Sequence, residues 1–88
     1  MDDVIKSFDL AGGRVTLFAN GNNRAENLVC LNADGSLRWR AALPANTLPD
    51  SFVDAVLEGD RVRANTWSGW VIWFDCTTGA VRETSFTK

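Results

Sequence analysis

The sequence predicts an all-β protein: two four-stranded antiparallel meander sheets, packed face to face. Apolar and polar residues alternate with period two, and no stretch carries helical periodicity. Glycine-containing turns recur about every 8–12 residues, as in sandwiches and barrels. The two halves of the chain also resemble each other, and the segment between them holds both prolines.

The first half reads as strands over 4–11, 14–20, 27–32 and 36–43. Gly12-Gly13 as a two-residue hairpin loop pairs Leu10 with Val15 and Phe8 with Leu17. The polar loop Asn20–Glu26 leads into the third strand. Ala33-Asp34-Gly35 as a three-residue bulged loop pairs Leu31 with Leu37 and Val29 with Trp39. Residues 1–43 thus form one repeat, 44–51 a linker and 52–88 a second repeat of the same compact domain.

The second half reads as strands over 52–58, 61–66, 70–75 and 80–86. With Gly59-Asp60 as the loop, Glu58 pairs with Arg61, Leu57 with Val62, Ala55 with Ala64 and Val53 with Thr66. A three-residue loop at Trp67-Ser68-Gly69 pairs Thr66 with Trp70, Ala64 with Ile72 and Val62 with Phe74, all on one face. A two-residue loop there would set Arg63 opposite Phe74 instead. Cys76–Gly79 as a four-residue loop pairs Phe74 with Val81.

These registers predict a core of Phe8, Leu10, Val15, Leu17, Val29, Leu31, Leu37 and Trp39 facing Val53, Leu57, Val62, Trp70, Ile72, Phe74 and Val81. The opposite faces are mixed. Phe18, Leu28 and Cys30 fall on one, and Phe52, Val56, Val71 and Trp73 on the other, interleaved with Arg14, Arg38, Arg61, Arg63 and Arg82.

Composition narrows the function. A chain of 88 residues buries only about 60–65% of its unfolded surface, so its core is modest. Net charge is −2 and the seven Arg and two Lys are scattered, which disfavours nucleic acid. No apolar run approaches the ~20 residues of a membrane span. The acidic start Met1-Asp2-Asp3-Val4 lacks the regions of a secretory signal, so a cytoplasmic location is the expectation. With no His and no Cys-x-x-Cys, neither a metal site nor another cofactor is expected. Cys30 and Cys76 either form a disulfide or stay free in a reducing compartment, and the second is expected.

No catalytic constellation stands out. Ser and Cys have no His base. Glu58 and Asp60 flank a hairpin turn, where solvated charge is the ordinary use, and Gly12-Gly13 lacks the Lys-Ser/Thr and helix of a phosphate loop. Asn32-Ala33-Asp34-Gly35 reads as a turn. Trp67, Trp70 and Trp73 lie within seven residues. They form either a stacking platform or, in turn, a loop anchor, a core residue and outer-face packing against Arg63 or Arg82. Trp67, at a hairpin tip, has no evident strand neighbour to cover it.

The repeat has a spacing of about 43–47 residues, the size of a four-stranded propeller blade. Ala11–Val15 matches Glu58–Val62, Leu28–Asn32 matches Val71–Asp75, and Gly35–Arg38 matches Gly79–Arg82. At these residues the chain resembles the repeat of quinoprotein-type, PQQ-like β-propellers, which carries an Asp, a Thr-Gly turn and a Trp four positions after the Gly. Asp75-Cys76-Thr77-Thr78-Gly79 fits that turn, with Glu83 at the Trp position. Gly35 and Trp39 have the Gly–Trp spacing, with Asn32 at the Asp position and a turn one residue shorter. The resemblance implies blade-like sheets. Two units fall short of a closed ring of four to eight blades, so the family's quinone-dependent dehydrogenase residues do not carry over.

The resulting expectation is a non-catalytic interaction or assembly module. It self-associates as a homodimer, or binds another protein, through Trp67, Trp73, Arg63, Arg82, Phe18 and Phe52. The alternative is a small-ligand or carbohydrate-binding domain that uses exposed Trp.

Overall fold

Period-two alternation and turn chemistry produce the expected architecture. The structure, a computed structural model, describes residues 4–19, 27–42 and 51–86. Strands β1 (Val4–Leu10), β2 (Gly13–Phe18), β3 (Leu28–Asn32) and β4 (Leu37–Arg40) form one antiparallel meander. Strands β5 (Phe52–Glu58), β6 (Arg61–Thr66), β7 (Trp70–Asp75) and β8 (Val81–Phe86) form the other. No helix occurs among the described residues. The 44–51 linker lies outside them except for Ser51, as does the Asn20–Glu26 loop.

The second sheet follows the turn logic closely. Gly59 has φ 63°, the left-handed backbone that its hairpin needs. Glu58 lies opposite Arg61, Leu57 opposite Val62 and Ala55 opposite Ala64. The three-residue Trp67–Gly69 loop sets Ala64 opposite Ile72 and Val62 opposite Phe74. Val62, Ala64, Ile72 and Phe74 are fully buried.

Four one-residue slips occur among the described strands, and those in β5 and β4 correct the expected faces. Between Phe52 and Asp54 the register slips, so Phe52, not Val53, lies opposite Thr66. Phe52 is buried and Val53 is 44% exposed. Between Cys30 and Leu31 the register slips again: Leu31 still faces Leu37, but Trp39 faces Cys30 rather than Val29. A slip of one residue sends every later side chain to the other face. Pairing with β2 sets Leu28 opposite Leu17 and Cys30 opposite Val15, so both enter the core and Val29 and Leu31 take the outer face, while the slip at Arg38 sends Trp39 inward with Cys30 and Leu37 outward with Leu31. A further slip, between Trp73 and Phe74, leaves Phe74 opposite Val81 and sets Glu83 opposite Trp73.

The first hairpin also differs. Its loop is Ala11-Gly12, and Leu10 lies opposite Gly13 and Phe8 opposite Val15. Gly13 belongs to β2 because the Arg38 guanidinium crosses beside it, donating to the carbonyls of Ala11 (3.2 Å) and Gly12 (2.6 Å). The shift is even, so Phe8 and Leu10 keep the expected face and pack on the core.

One core joins the sheets. Val15, Leu17, Leu28, Cys30, Trp39 and Ala41 from the first meet Phe52, Ala55, Val62, Ala64, Ile72 and Phe74 from the second. Fully burying each large apolar side chain contributes about 1.5–3 kcal/mol before entropy is subtracted. Leu57 and Val81 share the core-facing side but stay 43% and 52% exposed, because the first sheet does not reach over them.

Two polar contacts fix how the sheets sit. Asn27, fully buried, donates through Nδ2 to the carbonyls of Phe18 (2.6 Å) and Phe52 (2.9 Å). Its Oδ1 accepts from the Phe52 N–H at 2.9 Å. Trp39 spans the gap from β4, its ring stacked on Phe74 with centroids 6.0 Å apart. Its Nε1–H donates to the Cys76 carbonyl at 3.1 Å. The same indole lies on Gly79, where a Cβ would sit 2.6 Å from it.

Candidate functional site

The outward side of the second sheet gathers the sequence-predicted Trp and Arg residues. Alternation along β6 sends Arg61 and Arg63 away from the core, between the buried Val62 and Ala64. On β7, Val71 and Trp73 point the same way, between Ile72 and Phe74. Cross-strand pairing then sets Arg63 between Val56 and Trp73, with Asn65 beside Val71.

These side chains form one connected network. Trp73 Nε1–H donates to Glu58 Oε1 at 3.1 Å. The other oxygen of Glu58 pairs with Arg63 at 2.9 Å. The Arg61 guanidinium lies over the Trp73 ring, 5.9 Å from its centroid, within cation–π range. Arg61 also reaches Glu83 at 3.4 Å. Arg63 Nε is buried with no hydrogen-bond partner among the described residues. The carboxylates thus tie both guanidiniums to this face, and Trp73 stays half-buried under Arg61.

The remaining candidates are scattered. Trp73 meets Arg61 by stacking and Arg63 as a strand neighbour. Arg82 is instead bound to Asp75 at 2.9 Å, at the β7–β8 turn. Trp67 tips the β6–β7 hairpin, 75% exposed. Phe18 is half-buried on the outer face of the first sheet. Phe52 is removed from the candidate surface, because the β5 bulge turns it into the core. Glu58 and Arg61 complete the network and were absent from the expected set. The expected 58–61 pairing already set Glu58 opposite Arg61, and the observed Val56–Arg63 pairing puts it one diagonal step from Arg63.

The outer face of the first sheet bears a shallow groove of about 390 Å³ at its hairpin end. Leu31, Ala33 and Gly35 line one side, and Asp9, Gly13 and Arg14 the other. Asp9 accepts from Arg14 Nε at 2.9 Å.

Turns hold the nearby carboxylates ionised. The Asp75 carboxyl is drawn below its ordinary value by the backbone N–H groups of Thr77 and Thr78, and further by Arg82. That of Asp34 is lowered by the Ser36 hydroxyl and N–H, and that of Asp54 by Lys6. Cys30 and Cys76 are free thiols, and burial raises the Cys30 thiol above its usual value. Among the described residues no group of three or more His, Cys, Asp or Glu could hold a metal ion. Nor is any helix long and apolar enough to cross a membrane.

The fold and its outer surfaces define an all-β protein of two stacked four-stranded meanders. The chain belongs to the family described as a domain of unknown function, DUF7957, whose model matches residues 3–86. No curated protein matches the chain.

Proposed function

We propose that this protein is a non-catalytic interaction module that self-associates, most simply as a homodimer, through the outward face of its second sheet. The observation that carries this reading is the Trp73 network. The Arg61 guanidinium lies over the indole, Arg63 is its cross-strand neighbour, and Val71 lies two residues along the same face. Trp and Arg are the residues most enriched at binding hot spots. Another protein could occupy the same face; nucleic acid and membrane have no part in the reading. Two free thiols accord with a reducing, cytoplasmic setting.

The test is mass in solution. Sedimentation equilibrium at micromolar concentration is expected to show a dimer, and Trp73→Ala to weaken association by about tenfold or more. A wild-type chain that stays sharply monomeric overturns the proposal.

One observation favours a second reading. Trp67 is 75% exposed at a hairpin tip, as a platform for a sugar or an aromatic ligand would be. Glycan titration would then shift Trp fluorescence, and Trp67→Ala would abolish the shift.

A further inference from the structure

The two sheets are built alike to the level of single hydrogen bonds. The Asn32 N–H meets the Ser36 carbonyl as Asp75 N–H meets Ala80, both at 2.8 Å. Ala33 N–H meets Gly12 as Cys76 N–H meets Asp60, both at 3.1 Å. The bulges recur at matched places in β1 and β5, and at Arg38 in β4 and Arg82 in β8, beside the matched pairs Leu31–Leu37 and Phe74–Val81. In this correspondence Trp39 matches Glu83, Cys30 matches Trp73, and Leu31 matches Phe74.

By these bonds Gly12 matches Asp60 and Val15 matches Arg63, one residue off the alignment of Ala11–Val15 with Glu58–Val62, so the matched sheets bury opposite faces. The first buries Leu28, Cys30 and Trp39, whose counterparts Val71, Trp73 and Glu83 lie on the outer side of the second. The second buries Ile72 and Phe74, whose counterparts Val29 and Leu31 lie on the outer side of the first. Stacking is therefore head-to-tail. What remains at each end of the stack is the same pair of faces that the internal junction already joins, although on the first sheet Thr16 and Val29 are already buried and the accessible part is Leu31, Leu37 and the groove. The groove on the first sheet is the counterpart of the seat of Trp39. Leu31, Ala33 and Gly35 line it where Phe74, Cys76 and Gly79 receive the indole. Around a Cβ at Gly35 nothing lies within 4 Å.

We infer that a second copy of this chain occupies these faces head-to-tail: the Trp73 face of one copy seats on the Leu31–Leu37 side of the next, and Glu83 enters the groove beside Arg14. This rests on the self-association proposed above and gives it a geometry. Two copies close the stack as a ring of four sheets, the smallest number at which blades close. Heterologous junctions of this kind join two different patches, whereas an isologous dimer joins one patch to itself. Glu83 supplies charge to Arg14 where the internal junction has an indole, so the junction between copies lacks its strongest anchor.

Three variants test this in sedimentation equilibrium, with circular dichroism confirming the fold of each. Leu31→Lys blocks the first sheet and Trp73→Arg the second. Each alone is expected to lose most association, and an equimolar mixture to form a one-to-one heterodimer through the junction still intact. Glu83→Trp, which copies Trp39, is expected to tighten association by about tenfold, a gain abolished by adding Leu31→Lys. Wild-type association that survives Leu31→Lys, or a mixture that stays monomeric while wild type dimerises, overturns the head-to-tail arrangement and leaves self-association standing. A monomeric wild type overturns both. If Leu31→Lys fails to fold, the Glu83→Trp gain decides, and its absence counts against the arrangement.

Discussion

Single residues carry more of this fold than their number suggests. Asn27 is the sharpest case. One buried amide satisfies two carbonyls and one N–H drawn from both sheets. Replacing it with Leu keeps the volume and removes all three bonds, leaving buried polar groups unpaired at about 1–3 kcal/mol each. Asn27→Leu is therefore expected to destabilise by about 3 kcal/mol or more in urea unfolding. Nothing in the alternation marked this residue, because it stands where a polar loop meets a strand. Its role exists only once Phe52 is brought beside it.

At the scale of strands and turns, the hairpins show which glycines matter and why. Gly59 and Gly79 have similar positive φ, 63° and 75°. A Cβ on Gly59 meets open space, whereas one on Gly79 would strike the Trp39 ring. Gly59→Ala should cost about 1–2 kcal/mol, the backbone term alone. Gly79→Ala should cost about 1–3 kcal/mol more, through overpacking against the indole. Thermal melts of the two variants compare them directly, and equal losses would contradict the seat of Trp39. Much was legible here. The two-residue Gly59-Asp60 loop and the three-residue Trp67–Gly69 loop set correct registers because turn length dictates pairing. The bulges were not legible. In Leu28-Val29-Cys30-Leu31 every residue is apolar, so alternation cannot choose a face.

Across the whole molecule, one shared core makes the sheets interdependent. Neither sheet closes a core alone, since Trp39 of the first rests on Phe74 and Gly79 of the second. Unfolding should thus be a single transition, coincident by far-ultraviolet circular dichroism and Trp fluorescence. Two resolved transitions would show independent halves. Acid should weaken the fold. Asp34, Asp54 and Asp75 all have carboxyls held below the ordinary aspartate value of 3.8. Folding then favours the ionised form, so this stability is present above that pH. It is lost as pH falls through the lowered folded values. Urea midpoints measured from pH 6 downward should decline below about pH 4, and Asp75→Asn should flatten the decline.

The amino-acid order alone determined the class, the strand count, most hairpin registers and the outward placing of Arg61, Arg63 and Trp73. These follow from local causes: period-two alternation, turn length and glycine's access to positive φ. The tertiary structure decided which face of the third strand is buried, that Phe52 is core, and that Glu58 and Arg61 join the Trp73 network. Those outcomes depend on bulges and on contacts between strands far apart in the chain. A one-residue slip costs little locally yet exchanges the two faces of a strand, and only the opposing sheet selects between them.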